Sequence, residues 1–260
     1  MSRLLAIDSG NTRLKWALHD GNSWVKKGAI PVAEAARPER LREVWTTLGI
    51  TRAVVSNVAG DDVASAVERA LQSLAVTPQF IVSRREQCGL INRYAVPKQL
   101  GSDRWAALIA AHNTVLPGAE DLVPRLVIMA GTALTIDALT RGGEFLGGVI
   151  LPGPALMRAG LNSGTAGLPA DRGEYEMFPS TTLNAIATGV VEACIGAIVR
   201  IHAHLAAQSG MAPTCVLSGG ASEPLIPHLR ALSFPVSFNE NLVLDGLLTI
   251  STEMNSRKDG

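Results

Sequence analysis

The sequence predicts an α/β chain made of two copies of one unit, each a mixed β-sheet flanked by helices, with a cleft between the copies. Three observations carry the prediction. Two glycine turns of nearly one design, Asp8-Ser9-Gly10-Asn11-Thr12 and Ala130-Gly131-Thr132-Ala133, each join an apolar strand to an alternating one. A further turn follows each at similar spacing, Asp20-Gly21 and Arg141-Gly142, so both copies open on hairpins. The order of elements after the first hairpin then recurs after the second.

The elements follow in order. Leu5 to Asp8 is an apolar strand, and Leu14 to Leu18 alternates as a strand with one buried face does. Ser23 to Ile30 reads as a third strand. Residues 34–48 read as a helix, because Leu41, Val44, Trp45 and Leu48 recur at helical spacing. Ala53-Val54-Val55-Ser56 is a strand, Asp61 and Asp62 are placed to cap a helix to about residue 75, and Phe80-Ile81-Val82 is a short buried strand. The unit is therefore β-β-β-α-β-α. Gly101 to Val115 forms another helix with Ser102 as its N-cap, ended by Pro117-Gly118. From Val127 two strands recur, with a third at Glu144 to Leu151, helical segments through about residue 208, a strand at Cys215-Val216-Leu217 and a helix after Gly219-Gly220. A boundary near 117–123 gives domains 1–118 and 119–260.

Composition narrows the class of partner. The 260 residues are 47% hydrophobic and 4% aromatic, enough for one large core or two units of about 120–140 residues each. Equal counts of 23 basic and 23 acidic residues, with a pI near 7.0, leave no electrostatic footprint for nucleic acid or an anionic membrane. The first apolar run is short and Asp8 interrupts it, and no stretch approaches the ~18 consecutive apolar residues of a membrane helix, so a cytoplasmic protein is expected. Cys88, Cys194 and Cys215 lack metal or redox spacing and read as buried thiols. His202 and His204 point to different faces of one helix and receive no role.

A tight glycine turn between strands presents backbone N–H groups and a hydroxyl to an anionic oxygen. Two such turns can grip a phosphate chain, and neither is a Walker loop, since hairpins follow them and no G-x-x-x-x-G-K-[ST] occurs. Phosphoryl transfer further needs a metal and a carboxylate to take the acceptor's proton. Asp8, at a strand end before the turn, is placed to hold Mg²⁺ through water; its alternative use is to initiate the turn. Asp103 is the candidate base, with Arg104 beside it as a cation for a carboxylate substrate. As a first-turn helix residue it can equally serve the helix dipole, which would lower its pKa and weaken it as a base. Asp137, on the second hairpin, can serve the metal or the turn backbone. Gly147-Gly148 and Gly219-Gly220, at strand ends, mark either close backbone approach to a ligand or merely a tight connection, and the second pair is expected near the nucleotide. These residues alone lead to a nucleotide-dependent phosphotransferase.

The repeated unit resembles that of the actin, hexokinase and Hsp70 superfamily, whose domains are RNase H-like. The chain as a whole closely resembles type III pantothenate kinases nearly end to end. The resemblance rests on Asp8-x-Gly10-Asn11-Thr12, Tyr94-x-x-Pro97, Gly101-x-Asp103-Arg104 and Gly131-Thr132-Ala133-x-Thr135-x-Asp137. It continues through Gly147-Gly148-x-Ile150-x-Pro152-Gly153, Thr165-Ala166-x-Leu168-Pro169, Thr182-x-x-Ala185-Ile186 and Gly219-Gly220. It implies ATP-dependent phosphorylation of pantothenate, the first step of coenzyme A synthesis. It implies that Asp8, Ser9, Gly10, Asn11, Thr12, Arg13, Leu14, Lys15 and Thr132 bind ATP phosphates, and that Asp103 is the base. Tyr94, Gly101, Ser102, Asp103, Arg104 and Thr182 are implied as pantothenate contacts, in a homodimer with some contacts crossing its interface. A monovalent cation, K⁺ or NH₄⁺, is also implied, but where the family commonly carries an Asp this chain has Met129, a poor ligand for a hard cation and the internal counterpart of Asp8.

Two other readings compete. A regulatory or accessory protein that kept the fold without catalysis, as described for relatives in transcriptional activation, is expected to have lost Asp8 or Asp103; both are present. A kinase or phosphatase acting on a sugar or phosphate ester would share the turns but lack the Tyr94 to Arg104 segment.

Overall fold

The structure is a computed structural model describing residues 3–114, 123–165 and 173–256. It contains two compact units, residues 1–113 with 241–260, and residues 114–240. The sequence division at 118/119 places the C-terminal helix with the second half, whereas that helix packs in the first unit.

In the first unit, strands β1 (Leu4–Ser9), β2 (Arg13–His19) and β3 (Trp24–Pro31) form an antiparallel meander. Helices α1 (Val32–Ala35) and α2 (Pro38–Trp45) follow, then β4 (Arg52–Asn57), α3 (Asp61–Gln72) and β5 (Pro78–Phe80). β4 and β5 join parallel to β1, giving the order β3-β2-β1-β4-β5. A small hairpin of β6 (Glu86–Gln87) and β7 (Leu90–Asn92) precedes α4 (Ser102–Asn113). In the second unit, β8 (Arg125–Ala130), β9 (Ala133–Leu139) and β10 (Glu144–Pro152) repeat the meander. Next come α5 (Pro154–Gly164), α6 (Thr182–Ser209), β11 (Thr214–Ser218), α7 (Ile226–Arg230) and β12 (Val236–Phe238). Here the strands run β10-β9-β8-β11-β12, with β11 and β12 parallel to β8, the arrangement of the first unit repeated. Helix α8 (Leu242–Ser256) ends the chain.

Local chemistry explains where element boundaries depart from the sequence expectation. The helix expected over 34–48 is split, since Pro38 cannot donate the N–H that a continuous helix needs and instead opens α2. Asp61 and Asp62 occupy the first turn of α3, where the dipole favours them, while Gly60 is the cap. The strand expected at 80–82 lies at Pro78–Phe80. Helix α6 is long and apolar enough to cross a membrane by length and composition, contrary to the expectation; Glu192 interrupts the apolar run without making the whole stretch polar. Only 28% of that stretch is buried. The expected end of the 101–115 helix at Pro117-Gly118 lies outside the described residues, as do residues 166–169 of the Thr165 to Pro169 motif.

Each unit has its own core. Leu5, Ile7, Leu14 and Trp16 of the first sheet pack with Leu41, Trp45, Val67 and Leu71. In the second, Ile128, Leu134 and Ile136 pack with Val191, Cys194 and Ile198 of α6. Burial in this apolar setting pushes the Cys215 thiol up to about 12, so it remains protonated. On the other side of the first sheet, α4 and α8 lie together, close enough that a Cβ on Gly246 would sit 1.9 Å from the Ala106 carbonyl oxygen. Gly246→Ala is therefore expected to destabilise the protein by roughly 1–3 kcal/mol through overpacking, read as a lower denaturant midpoint.

Candidate active site

Asp8 occupies the second-last position of β1, where the parallel strand end meets the hairpin. Its cross-strand neighbours are Lys15 on β2 and Ser56 on β4. The turn that follows is closed by the Gly10 amide, which donates to the Arg13 carbonyl at 3.1 Å, and its outer end is held where Val32 N–H donates to Thr12 O at 3.0 Å. Asn11, Thr12 and Arg13 are exposed and Lys15 is half-buried. Leu14 and Ser9 are fully buried, so Leu14 offers the turn only its backbone. The Ser9 hydroxyl has no hydrogen-bond partner.

Helix α4 begins beside this strand end. The Ser56 and Ser102 hydroxyls meet at 2.8 Å in a buried contact, and Ser83 Oγ donates to the Leu100 carbonyl at 2.8 Å. Gly101, not Ser102, supplies the first helical acceptor, because its carbonyl receives Trp105 N–H at 3.0 Å. Ser102 is the first helical residue and turns its hydroxyl to β4. The next residue, Asp103, is half-buried, and its Oδ1 accepts from the Arg104 amide at 2.8 Å.

The two carboxylates are close enough to repel. Asp8 is pushed up to about 7, first by desolvation and then by the charge of Asp103, with Lys15 partly offsetting both. Asp103 is also raised, because burial outweighs the Arg104 amide and guanidinium that favour its charged form. This reverses the expectation that its place in a first helical turn lowers its pKa. Desolvation is the larger effect at this helix start.

Tyr94 and Arg104 complete the first unit's set. Arg85 pins the loop before α4, donating to the Asn92, Tyr94 and Ala95 carbonyls at 2.7–3.2 Å. Tyr94 N–H in turn donates to Asn92 Oδ1 at 3.0 Å. Arg104, 6% exposed, donates to the Tyr94 hydroxyl at 3.5 Å. The fold thus gathers Asp8 to Lys15, Tyr94 and Gly101 to Arg104 in one unit. Arg85 and the Ser56 and Ser83 hydroxyls that hold this group were missed in the sequence, where nothing about their spacing distinguishes them.

Thr132 and Thr182 belong to the second unit. Thr132 is exposed in the second turn, closed by Gly131 N–H to Ala133 O at 2.9 Å; Thr182 is exposed in the first turn of α6, which Thr181 caps by accepting from Asn184 N–H at 3.2 Å. Glycines press on the back of this turn. Gly153 N–H donates to Thr132 O at 2.8 Å, and a Cβ there would lie 2.1 Å from Gly131 O. Gly219, with φ +107°, leaves the same small gap to Ala130 O. These two glycines bring backbone to backbone. Asp137 is fully buried in the middle of β9, removed from the turn backbone.

The chain matches the family model of type III pantothenate kinase over residues 4–204. It is 43% identical over 258 residues to the type III pantothenate kinase of Nitrosospira multiformis, covering 99% of this chain and 94% of that protein. Its identity to the Methylibium petroleiphilum type III pantothenate kinase is also 43%, over 96% of this chain and 98% of that one. Among solved structures, a protein of Campylobacter jejuni described as a Baf family transcriptional activator superposes with a TM-score of 0.60 at 20% identity, covering 97% and 99% of the two chains. MreB5 of Spiroplasma citri does so with a TM-score of 0.53 at 7% identity, covering 100% and 99%. The last two likenesses show a shared fold alone, and the family match and full-length identities show that the chain belongs to the type III pantothenate kinases.

Proposed function

We propose that the chain carries out its family's reaction, ATP-dependent phosphorylation of pantothenate to 4'-phosphopantothenate, with Asp103 as the base. The observation that carries this reading is the placement of a desolvated carboxylate at the start of α4, beside the Asp8 strand end and its glycine turn. Transfer to a primary hydroxyl requires the hydroxyl proton to leave as the oxygen attacks the γ-phosphorus. A carboxylate whose pKa burial has raised is a stronger base when ionised than an exposed one. Arg104, nearly buried and in reach of the Tyr94 hydroxyl, is the proposed anchor for the pantothenate carboxylate, with Gly101, Ser102 and Thr182 as further contacts. Backbone amides of the Gly10 turn, with Thr12 and Lys15, are proposed to bind ATP phosphates, joined by Thr132 of the second turn.

Asp8 suits Mg²⁺: its carboxylate is a hard oxygen donor, and its desolvation and repulsion from Asp103 are relieved by a neighbouring cation. Bound there, the ion supplies charge neutralisation to the phosphates. We further propose a cytoplasmic enzyme without nucleic-acid or membrane partners, in line with its balanced charge. A homodimer is proposed through the exposed side of α6, where Ala185, Gly189, Ala193, Gly196 and Ala203 leave a flat stripe suited to a two-fold contact.

Mass-spectrometric detection of 4'-phosphopantothenate from purified protein, pantothenate and MgATP tests the reaction, and absence of product with ATP binding intact would overturn it. Asp103→Asn is expected to lower kcat by roughly 10²–10⁴-fold with pantothenate binding retained by calorimetry; a variant of wild-type rate reassigns the base. Because Asp8 is raised in the folded state, its neutral form is the one the fold favours. Its stabilising contribution is complete below the ordinary carboxylate range and is lost as pH rises to about 7. In EDTA, Asp8→Asn is thus expected to raise the unfolding temperature at pH 8 and leave it nearly unchanged at pH 4; equal effects at both would contradict this. Gly196→Arg, at a position with nothing within 4 Å of an added Cβ, is expected to give a folded monomer by light scattering.

A further inference from the structure

The two hairpins are equivalent in register but not in chemistry. Asp8 on β1 lies between Lys15 and Ser56; Met129 on β8 lies between Thr135 and Ser218. The serine is common to both, and the carboxylate and the ammonium of the first unit are replaced by a thioether and a hydroxyl. The side-chain oxygens of the two register neighbours of Met129 are neutral hydroxyls. Thr135 is 8% exposed and its Oγ1 has no hydrogen-bond partner, and Ser218 is 2% exposed. Asp137, two residues along β9 from Thr135, has its Oδ1 against Gly148 of β10, where a Cβ would meet it at 2.1 Å, on the side of β9 away from Met129. A hard monovalent cation is held by several oxygen donors, and the Met129 thioether supplies none. The cation that the family resemblance implies does not fit this position.

We infer that the Met129, Thr135 and Ser218 position is a cation site that has lost its charged ligand: the native protein binds no monovalent cation there, and one carboxylate restores binding. The buried, unpartnered Thr135 hydroxyl is the group an added carboxylate would meet. A buried hydroxyl without a partner is destabilising, and a Met129→Asp carboxylate across the register pair gives it one. The inference rests on the kinase reading only for its activity readout.

The test pairs unfolding temperature with turnover, in KCl, NH₄Cl and NaCl at one ionic strength, for the native protein and Met129→Asp. The native protein is expected to unfold at the same temperature in all three salts, with turnover differing by less than about twofold. Met129→Asp is expected to unfold at a higher temperature in potassium or ammonium than in sodium, and Met129→Asn, without the charge, is not. Stabilisation of the native protein by potassium, or strict loss of its turnover in sodium alone, overturns the inference, as does a Met129→Asp protein that folds without discriminating among the salts. Absence of turnover in every salt counts against the kinase reading instead, and the unfolding temperatures still decide the cation question.

Discussion

Ser56 lies one residue before the end of β4 and Ser102 opens α4, and the 2.8 Å contact between their buried hydroxyls sets where the helix begins relative to the strand. Asp8 is the register neighbour of Ser56, and Asp103 follows Ser102 directly, so this one contact brings both carboxylates into each other's field. A neutral hydroxyl pair contributes only about 1 kcal/mol net, but losing one partner leaves the other buried and unpaired. Its larger effect is positional. Ser83 binding the Leu100 carbonyl and Arg85 holding the loop of Tyr94 extend the same constraint back along the chain.

Electrostatic strain is concentrated at this point. Two acids in a desolvated corner, with Lys15 as partial compensation, cost stability that the surrounding cores must supply. The second unit uses its equivalent position differently. Its turn is backed by Gly153 and Gly219, and the residue matching Asp8 is apolar. The backbone path recurs in both units, while the Asp8 and Asp103 pair belongs to the first.

Much of this was legible in the chain. The paired glycine turns, the alternation of Leu14 to Leu18 and the order of strands gave the duplicated sheet, because side-chain period and turn chemistry are local properties. Asp8, Asp103 and Arg104 were legible as residue types at motif spacing. The direction of the Asp103 pKa was not. A helix start argues for a lowered value, and only the packing of α4 against the strand end shows that desolvation prevails. The hairpin at 86–92 and the strand Val236–Phe238 were also missed, since segments of two or three residues carry no measurable period.

The sequence by itself determined the α/β class, the repeat, the turns and the family. Tertiary structure decided that Gly101 rather than Ser102 caps α4, that the C-terminal helix packs with the first unit, and that Gly153 and Gly219 serve backbone contact within the second. The difference is one of range. Period, turn preference and motif depend on residues a few positions apart, whereas burial and the partner of a buried hydroxyl depend on segments the chain brings together only on folding.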